Sequence, residues 1–260
     1  MEQEKLFHHI NKLFVKAFAT YRLLEDDDHI LVGLSGGKDS LCLLELLAKR
    51  ARIHHPRFRV EAIHVRMENV SYETSTDYLE RFCHALDVPL HVVTTSFDSS
   101  PFTLHSSQPK DSSPFTLHSS LKKKPACFLC SWNRRKQMFN LAQELGCNKI
   151  ALGHHQDDLL HTALLNLLYQ GRFDSMPAKL KMRKMPLTII RPLCMIPESD
   201  IRRYAELQRY EKQIKLCPYE DKTRRTDIRH LFEEAERMNP EARFSLWNAL
   251  VRSGKLVEEY

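Results

Sequence analysis

Hydrophobic and polar positions form two kinds of pattern along this chain. Five short apolar runs are typical of buried strands, and between them lie amphipathic stretches whose apolar positions recur every three to four residues, as in helices. The predicted strands cover residues 30–34, 58–67, 90–95, 149–153 and 188–193. Strands that alternate with helices favour a parallel sheet covered by helices on both faces. We therefore predict an α/β fold with a five-stranded parallel sheet.

The same pattern divides the chain into three predicted parts. Residues 1–28 form an amphipathic N-terminal helix, residues 29–196 an α/β domain, and residues 197–260 a helical C-terminal region. Within the α/β domain, the segment 98–124 shows neither the strand pattern nor the helix pattern. It contains a ten-residue unit repeated without change. We predict that this insert is an exposed loop, since a duplication is best tolerated where the chain makes few contacts.

A glycine turn follows the first predicted strand and opens a helix. Its sequence is Ser35-Gly36-Gly37-Lys38-Asp39-Ser40. Two adjacent glycines let the backbone approach an anion closely, and the first N–H groups of the following helix point toward it. Lys38 adds a positive charge, and Ser35 and Ser40 add hydroxyl donors. A phosphate would repel Asp39 unless a cation lay between them, which predicts Mg²⁺ beside Asp39.

The glycine turn is not a Walker A loop, because Val32 stands where that motif requires a glycine and Asp39 follows the lysine. It matches instead the pyrophosphate loop of the ATP pyrophosphatases, which cleave ATP between its α and β phosphates. The match predicts that residues 35–40 bind ATP.

A second polar turn follows the fourth predicted strand. Its sequence is Gly153-His154-His155-Gln156-Asp157-Asp158. The carboxyl ends of parallel strands share one edge of the sheet, so this turn is expected beside the glycine turn. Either aspartate can serve simply as a helix cap. Two histidines and two aspartates within one short turn nevertheless favour contacts with ATP and a metal, and we predict that Gly153, His154, Asp157 and Asp158 bind ATP.

Cys127 and Cys130, with two residues between them, stand at the start of a predicted helix. Such a pair is compatible with a metal or cluster site, with a redox pair or with no function, and it cannot complete a tetrahedral zinc site alone. Cys217 precedes a proline, which is a common setting for an iron–sulfur ligand. The other four cysteines are predicted to be core residues. They are Cys42, Cys83, Cys147 and Cys194.

Composition narrows the class of protein. With 42% hydrophobic and 28% charged residues, the 260-residue chain is typical of a soluble globular protein, and no apolar run approaches the ~20 residues of a membrane span. Seven scattered cysteines argue against a disulfide framework and favour the cytoplasm. Residues 171–230 carry 15 lysines and arginines against 8 acidic residues. This excess suits a polyanionic partner, although a solvated helical face explains it equally well.

Taken together, the motifs resemble the tRNA 2-thiocytidine synthetase family of PP-loop ATP pyrophosphatases. The shared features are Ser35–Ser40, Cys127 and Cys130 followed by Arg134 and Arg135, Gly153–Asp158, Ile190-Arg191-Pro192-Leu193, and Cys217. The resemblance implies a Rossmann-like fold of the adenine nucleotide alpha hydrolase, or HUP, type. The 98–124 insert is a departure from the family pattern. The related 2-thiouridine synthetases often add N-terminal zinc modules, and the lysidine synthetases lack the cluster cysteines.

The resemblance implies a cytoplasmic enzyme that uses ATP and Mg²⁺ to thiolate cytidine in tRNA. Lys38 and Asp39 would be catalytic, with Mg²⁺ on Asp39. A [4Fe–4S] cluster would be held by three cysteines, namely Cys127, Cys130 and Cys217. We assign tRNA contacts to four arginines, namely Arg134, Arg135, Arg224 and Arg225.

The sequence leaves the sulfur donor, the assembly and the exact function open. A cysteine desulfurase or free sulfide would donate the sulfur, and a homodimer is one expected assembly. One alternative is a tRNA sulfurtransferase of the 2-thiouridine type. Another is a small-molecule ATP pyrophosphatase with a persulfide on Cys127, and a third is a regulatory module that senses ATP or a cluster. Release of pyrophosphate would separate the enzymes from a sensor.

Overall fold

The computed structural model describes residues 1–53, 55–68, 71–72, 76–96, 126–211, 215–216 and 224–258. The duplicated insert, predicted to be an exposed loop, and Cys217, a predicted cluster ligand, lie outside these residues. For Cys127 the structure describes the backbone, which belongs to a helix, but not the side chain.

The described part of the chain contains nine strands. They are β1 (Asp28–Gly33), β2 (Phe58–Met67), β3 (Ser71–Tyr72), β4 (Leu90–Thr95), β5 (Lys149–Ala151), β6 (Lys179–Lys181), β7 (Thr188–Ile190), β8 (Lys215–Leu216) and β9 (Val257–Glu258). Seven of them form one sheet in the order β4-β2-β1-β5-β7-β6-β9, and β3 pairs with β8 in a separate antiparallel ribbon.

The five predicted strands are β1, β2, β4, β5 and β7, and they are parallel neighbours in the large sheet. The prediction of a five-stranded parallel sheet is confirmed, and the sheet is wider by two short strands beyond β7. β6 pairs antiparallel with β7, and β9 pairs parallel with β6. Two or three residues with charged side chains do not make an apolar run, so the pattern gave no signal for either of these strands.

Eight helices accompany these strands in the described residues. They are α1 (Glu2–Tyr21), α2 (Lys38–Ala51), α3 (Asp77–Ala85), α4 (Ala126–Glu144), α5 (Gln156–Gln170), α6 (Glu198–Leu207), α7 (Arg224–Met238) and α8 (Ala242–Arg252). None of the helices in these ranges is both long enough and apolar enough to cross a bilayer.

Apolar cores lie on both faces of the large sheet, as predicted. In β1, Ile30 and Val32 belong to the larger core, whereas Leu31 belongs to the smaller core on the opposite face. The larger core collects buried side chains from all the helices except α4, and α4 covers the smaller core through Ala142. Alternate residues of a strand point to opposite faces, so burial on both faces explains why β1 is apolar throughout.

The four cysteines predicted to be core residues are all buried, which confirms that prediction. Burial also raises the pKa of each thiol: to about 12 for Cys83 and Cys194, to about 11 for Cys147, and even higher for Cys42. A buried thiol with a raised pKa is a poor thiolate ligand.

The point between β1 and β5 is where the order of strands across the sheet changes direction. From β1 the chain continues through β2 and β4 on one side, and β5 and β7 lie on the other. In open α/β sheets, ligands bind in the crevice at the carboxyl ends of the strands where this reversal occurs. Both predicted turns lie there, because one follows β1 and the other follows β5.

Candidate active site at the carboxyl edge of the sheet

The glycine turn after β1 is held in shape by its own serines. The amide of Ser35 donates to Oγ of Ser40 over 3.2 Å, and that Oγ donates to the carbonyl of Gly37 over 2.9 Å. Gly36 has a φ of 81°, a left-handed conformation that favours glycine. Helix α2 begins at Lys38, so the N–H groups of its first turn point into this turn, as an anion-binding site requires.

Gly153 brings the second turn into contact with the glycine turn. A Cβ on Gly153 would lie 3.1 Å from both the carbonyl carbon of Asp39 and the amide nitrogen of Ser40. The backbones therefore touch at a distance that only glycine permits. The two turns that were predicted to lie side by side are packed directly against each other.

Lys38 lies between two carboxylates. Its Nζ is 3.0 Å from Oδ1 of Asp39 and 3.0 Å from Oε1 of Glu198, at the start of α6. Burial lowers the pKa of Lys38, but the charges and hydrogen bonds of the two carboxylates outweigh burial and leave the pKa raised. Lys38 is therefore protonated at neutral pH, as a phosphate-binding lysine must be.

Asp39 has one oxygen that suits a cation. Its Oδ1 is buried and accepts no hydrogen bond, although it faces the Lys38 ammonium. The described residues contain no cluster of three or more acidic, histidine or cysteine side chains that could hold a metal. Mg²⁺ commonly binds through one or two carboxylates together with phosphate oxygens and water. The orphaned oxygen of Asp39 thus fits Mg²⁺ that arrives with a nucleotide.

His64 supports the end of β1 from the neighbouring strand. Its Nδ1 donates to the carbonyl of Leu34 over 2.7 Å, directly before the glycine turn. Burial, assisted by the charges of Arg134 and Arg66, lowers the pKa of His64, so the ring is neutral and keeps this donor.

The half-buried His154 and the buried Arg191 form a pair at the same edge. Nε of Arg191 donates to Nδ1 of His154 over 3.3 Å. Burial, followed by the charge of Arg191, lowers the pKa of His154 to about 4, so the imidazole is neutral at pH 7. Because Nδ1 accepts this bond, the proton of the neutral ring resides on Nε2. His154 is thus prepared to donate a hydrogen bond from Nε2.

Asp157 joins three helices. Its Oδ2 accepts the amide of Glu198 over 2.7 Å, and its Oδ1 accepts Nη2 of Arg243 from α8 over 2.8 Å. Burial raises the pKa of Asp157, but these bonds outweigh burial and leave the pKa lowered. Both oxygens are engaged, so the geometry favours a positioning role for Asp157 over the predicted direct contact with ATP.

Asp158 caps the helix that follows the second turn. Its Oδ2 accepts the amide of His155 over 3.0 Å and lies 3.5 Å from Nε2 of the same residue. Nδ1 of the buried His155 has no hydrogen-bond partner. The capping role that the sequence left open is therefore present at Asp158, while its other oxygen is available for a ligand.

The four arginines assigned to RNA are divided between two helices. Arg134 and Arg135 lie in α4. Burial lowers the pKa of Arg191 to about 10, and the charge of Arg135 adds to this shift. Arg224 and Arg225 open α7, where Arg224 lies over the Tyr169 ring at 4.8 Å. The charge of Arg225 contributes to lowering the pKa of His154. Positive charge from both helices thus reaches the His154–Arg191 pair.

Comparisons with known proteins agree with this geometry. The sequence model of the PP-loop domain family matches residues 3–235. The chain belongs to the PP-loop family. It is 34% identical over 255 residues to the tRNA-cytidine(32) 2-sulfurtransferase of Bordetella avium, covering 96% of this chain and 75% of that protein. The tRNA-cytidine(32) 2-sulfurtransferase of Paraburkholderia phymatum is 32% identical over 96% of this chain and 69% of its own length.

A solved structure shares the fold of this PP-loop protein. It is the U34-tRNA thiolase NcsA from Methanococcus maripaludis with its [4Fe-4S] cluster, with a TM-score of 0.71 at 22% identity. The match covers 98% of this chain and 81% of that one. The predicted Rossmann-like PP-loop fold is confirmed.

The cysteine pair of this PP-loop protein lies at the same edge as the loop. Cys127 and Cys130 fall in the first turns of α4, and Cys130 is half-buried. Further along α4, Nε2 of Gln137 donates to Oγ1 of Thr95, at the carboxyl end of β4, over 3.4 Å. Since α4 runs back toward the amino ends of the strands, its first turns extend beyond the carboxyl edge. Thiol donors three residues apart on one helix suit a soft metal or an iron–sulfur cluster.

Three residues of the PP-loop site were not predicted as functional. They are His64, Glu198 and Arg243. His64 lies inside an apolar strand, and Arg243 belongs to a helix 86 residues beyond Asp157. Glu198 follows a proline at the start of a helix, where an acidic residue is ordinary. Only tertiary structure brings their side chains to the two turns.

Proposed function

We propose that this protein uses ATP to thiolate C2 of a cytidine in tRNA. The observation that carries the proposal is the contact of the two turns at the switch point, with a cysteine pair on the helix that begins at the same edge. The curated relatives, matched along 96% of the chain, are named for cytidine 32 of tRNA. Cytidine 32 is accordingly the expected target.

ATP would bind across the two turns. Ser35, Gly36, Gly37 and Ser40 supply the turn and its donors for the phosphates, and Lys38 supplies a positive charge. Gly153 keeps the second turn close, and His154 offers the Nε2 proton to the nucleotide. The carboxylates of Asp39 and Asp158 would hold a magnesium ion that arrives with the nucleotide.

The first chemical step would activate the cytidine. The C2 oxygen is a poor leaving group, so it attacks the α-phosphorus of ATP, and the bond from that phosphorus to the bridging oxygen of pyrophosphate breaks. Lys38 leaves its carboxylate partners and stabilises the negative charge that develops on the departing pyrophosphate. Asp39 would hold Mg²⁺, which when bound would supply further positive charge toward the same group.

The second step would exchange oxygen for sulfur. A sulfide attacks C2, the bond from C2 to the adenylylated oxygen breaks, and AMP leaves, so no atom changes oxidation state overall. We propose Cys127, Cys130 and Cys217 as ligands of a [4Fe–4S] cluster, which when bound supplies an iron site for that sulfide. Cys130 is half-buried, whereas the four core cysteines are buried, so among these five thiols Cys130 is the one accessible to a cluster.

The partners follow from this chemistry. Arg134, Arg135, Arg224 and Arg225 would meet the phosphates of the tRNA backbone, since guanidinium groups pair well with phosphate. The sulfur would come from a cysteine desulfurase or from free sulfide. A tRNA substrate suggests the cytoplasm as the site of action, and a homodimer is a further expectation.

A pyrophosphate assay tests the proposal. Purified protein is incubated with Mg-ATP, sulfide and an unmodified tRNA transcript that carries cytidine 32, and pyrophosphate is measured over time. We expect release that depends on the transcript and stops when uridine replaces cytidine 32. Equal release with both transcripts would favour a different base, and release that needs no RNA would favour a small-molecule substrate.

A further inference from the structure

A cavity of about 330 Å³ lies between α5 and α7, beside the proposed active site. Asp158 and Thr162 line it from α5, and Arg225 and Arg229 line it from α7. Asp158 also caps the second turn, and the charge of Arg225 reaches His154. The cavity is therefore next to the place where the substrate base must meet ATP.

The α7 wall of the cavity is cationic. Arg225 and Arg229 are four residues apart, so they lie on the same face of the helix. Within the described part of the chain, Arg225 makes no hydrogen bond or ion pair. Arg229 lies 3.3 Å from Oε2 of Glu198, whose Oε1 contacts Lys38. Arg225 thus has no partner among the described residues, whereas Arg229 shares a carboxylate with the lysine of the PP-loop.

The remaining lining is of two kinds. Leu165, Met176 and Ile228 provide an apolar surface, and Thr162 and Thr226 provide hydroxyl groups. A volume of about 330 Å³ is at the small end of the range for ligand pockets. A cationic wall opposite an apolar surface suits a nucleotide, which has an anionic phosphate and flat apolar faces.

Among the described residues that line the cavity, Asp158 provides the carboxylate. Its Oδ2 accepts the amide of His155 over 3.0 Å and lies 3.5 Å from Nε2 of that histidine. This capping interaction takes up part of the negative charge. Among the described lining residues, two guanidinium groups face one carboxylate, so the lining carries a net positive charge. Burial lowers the pKa of the lining His161, which is therefore neutral at pH 7 and adds no charge.

We propose that this cavity receives one nucleotide of the substrate RNA, with its phosphate on Arg225 and Arg229 and its ring against the apolar surface. The inference rests on the proposed function, because it takes tRNA as the substrate. It adds a specific pocket to the general basic surface, and it links RNA to the PP-loop, since a phosphate on Arg229 competes with Glu198.

The test is equilibrium binding of unmodified tRNA by filter retention at several salt concentrations. The variants are Arg225→Ala, which removes a cavity charge, and Thr226→Phe, which fills the cavity from an exposed position without changing charge. Arg237→Ala is the matched control, because Arg237 is an exposed arginine near the end of the same helix, paired with Glu234 and outside the cavity lining. Melting temperatures verify that each variant folds.

We expect both cavity variants to weaken tRNA binding about tenfold, as for the loss of a charge-assisted hydrogen bond. The plot of log K against log salt should become less steep by about one unit in Arg225→Ala. Arg237→Ala should change the affinity by less than about twofold. If wild type binds tRNA and both cavity variants match Arg237→Ala, the cavity proposal is overturned. If wild type itself fails to bind tRNA, the proposed function fails and the cavity proposal fails with it.

Discussion

Gly153→Ala probes the contact between the two turns with a single added methyl group. The new Cβ would lie 3.1 Å from the carbonyl carbon of Asp39 and 3.2 Å from its carbonyl oxygen. Relaxed carbon contacts are about 3.5–4.0 Å, so the first turn of α2 must shift by a few tenths of an ångström. The neighbouring atoms are backbone and cannot rotate away. The change therefore displaces the phosphate-binding turn itself.

The expected cost follows from overpacking. Inserting a methyl group into a well-packed region costs about 1–3 kcal/mol. At about 2–4 °C per kcal/mol for a chain of this size, the melting temperature should fall by about 2–12 °C. The affinity for ATP should fall about tenfold or more, because small displacements of binding groups are expensive.

Gly37→Ala is the matched control for this substitution. A Cβ on Gly37 would meet only Oγ of Ser35, at an ordinary 3.6 Å. We expect its stability to change by less than about 1 kcal/mol, while its affinity for ATP falls because the methyl group stands where the phosphate approaches. Thermal unfolding and titration with a fluorescent ATP analogue measure both quantities. A Gly153→Ala protein with wild-type stability and ATP affinity would refute the contact as described.

The other predictions concern catalysis, pH and cluster ligation. Asp39→Ala should fold normally but lose about 100-fold in pyrophosphate release, since the Mg²⁺ ligand is gone; a rate within about tenfold of wild type would contradict the metal role. The free energy of unfolding should fall as the pH is lowered from about 6.5 toward about 4, because the unfolded chain then binds a proton at His154 that the folded chain excludes. Urea titrations should show this loss to be smaller in His154→Gln, and identical pH profiles would argue against it. Anaerobically purified Cys130→Ala should lose its iron while a folded Cys83→Ala retains it, and equal iron in both would count against Cys130 as a ligand.

Most of the parallel sheet could be predicted because the burial of its strands and the conformation of its turns are encoded in short stretches of sequence. The run Ile30–Leu34 is apolar since both faces of its strand are buried, and the turn at Gly36 needs a glycine for its positive φ. Such features produce a recognisable residue pattern within a few neighbouring positions. The strands β6 and β9 were missed because each is only two or three residues long, and β9 is held by pairing with β6, far earlier in the chain.

The candidate site was predictable only in part, for the same reason. The two turns can be recognised in the sequence, because glycines and polar residues directly follow predicted strands. The engagement of Asp157 by Arg243, and of Lys38 by Glu198, is set by how α8 and α6 pack against the sheet edge. No pattern within one segment reports a hydrogen bond between side chains so far apart along the chain.

The most direct test of the central claim is the nucleoside content of tRNA from a strain that lacks this protein. Total tRNA is digested to nucleosides and analysed by liquid chromatography and mass spectrometry, with parallel strains that carry the wild-type chain or Asp39→Ala on a plasmid. We predict that 2-thiocytidine is absent from the deletion strain, returns with the wild-type chain and stays absent with Asp39→Ala. A normal level of 2-thiocytidine in the deletion strain would contradict the proposed function.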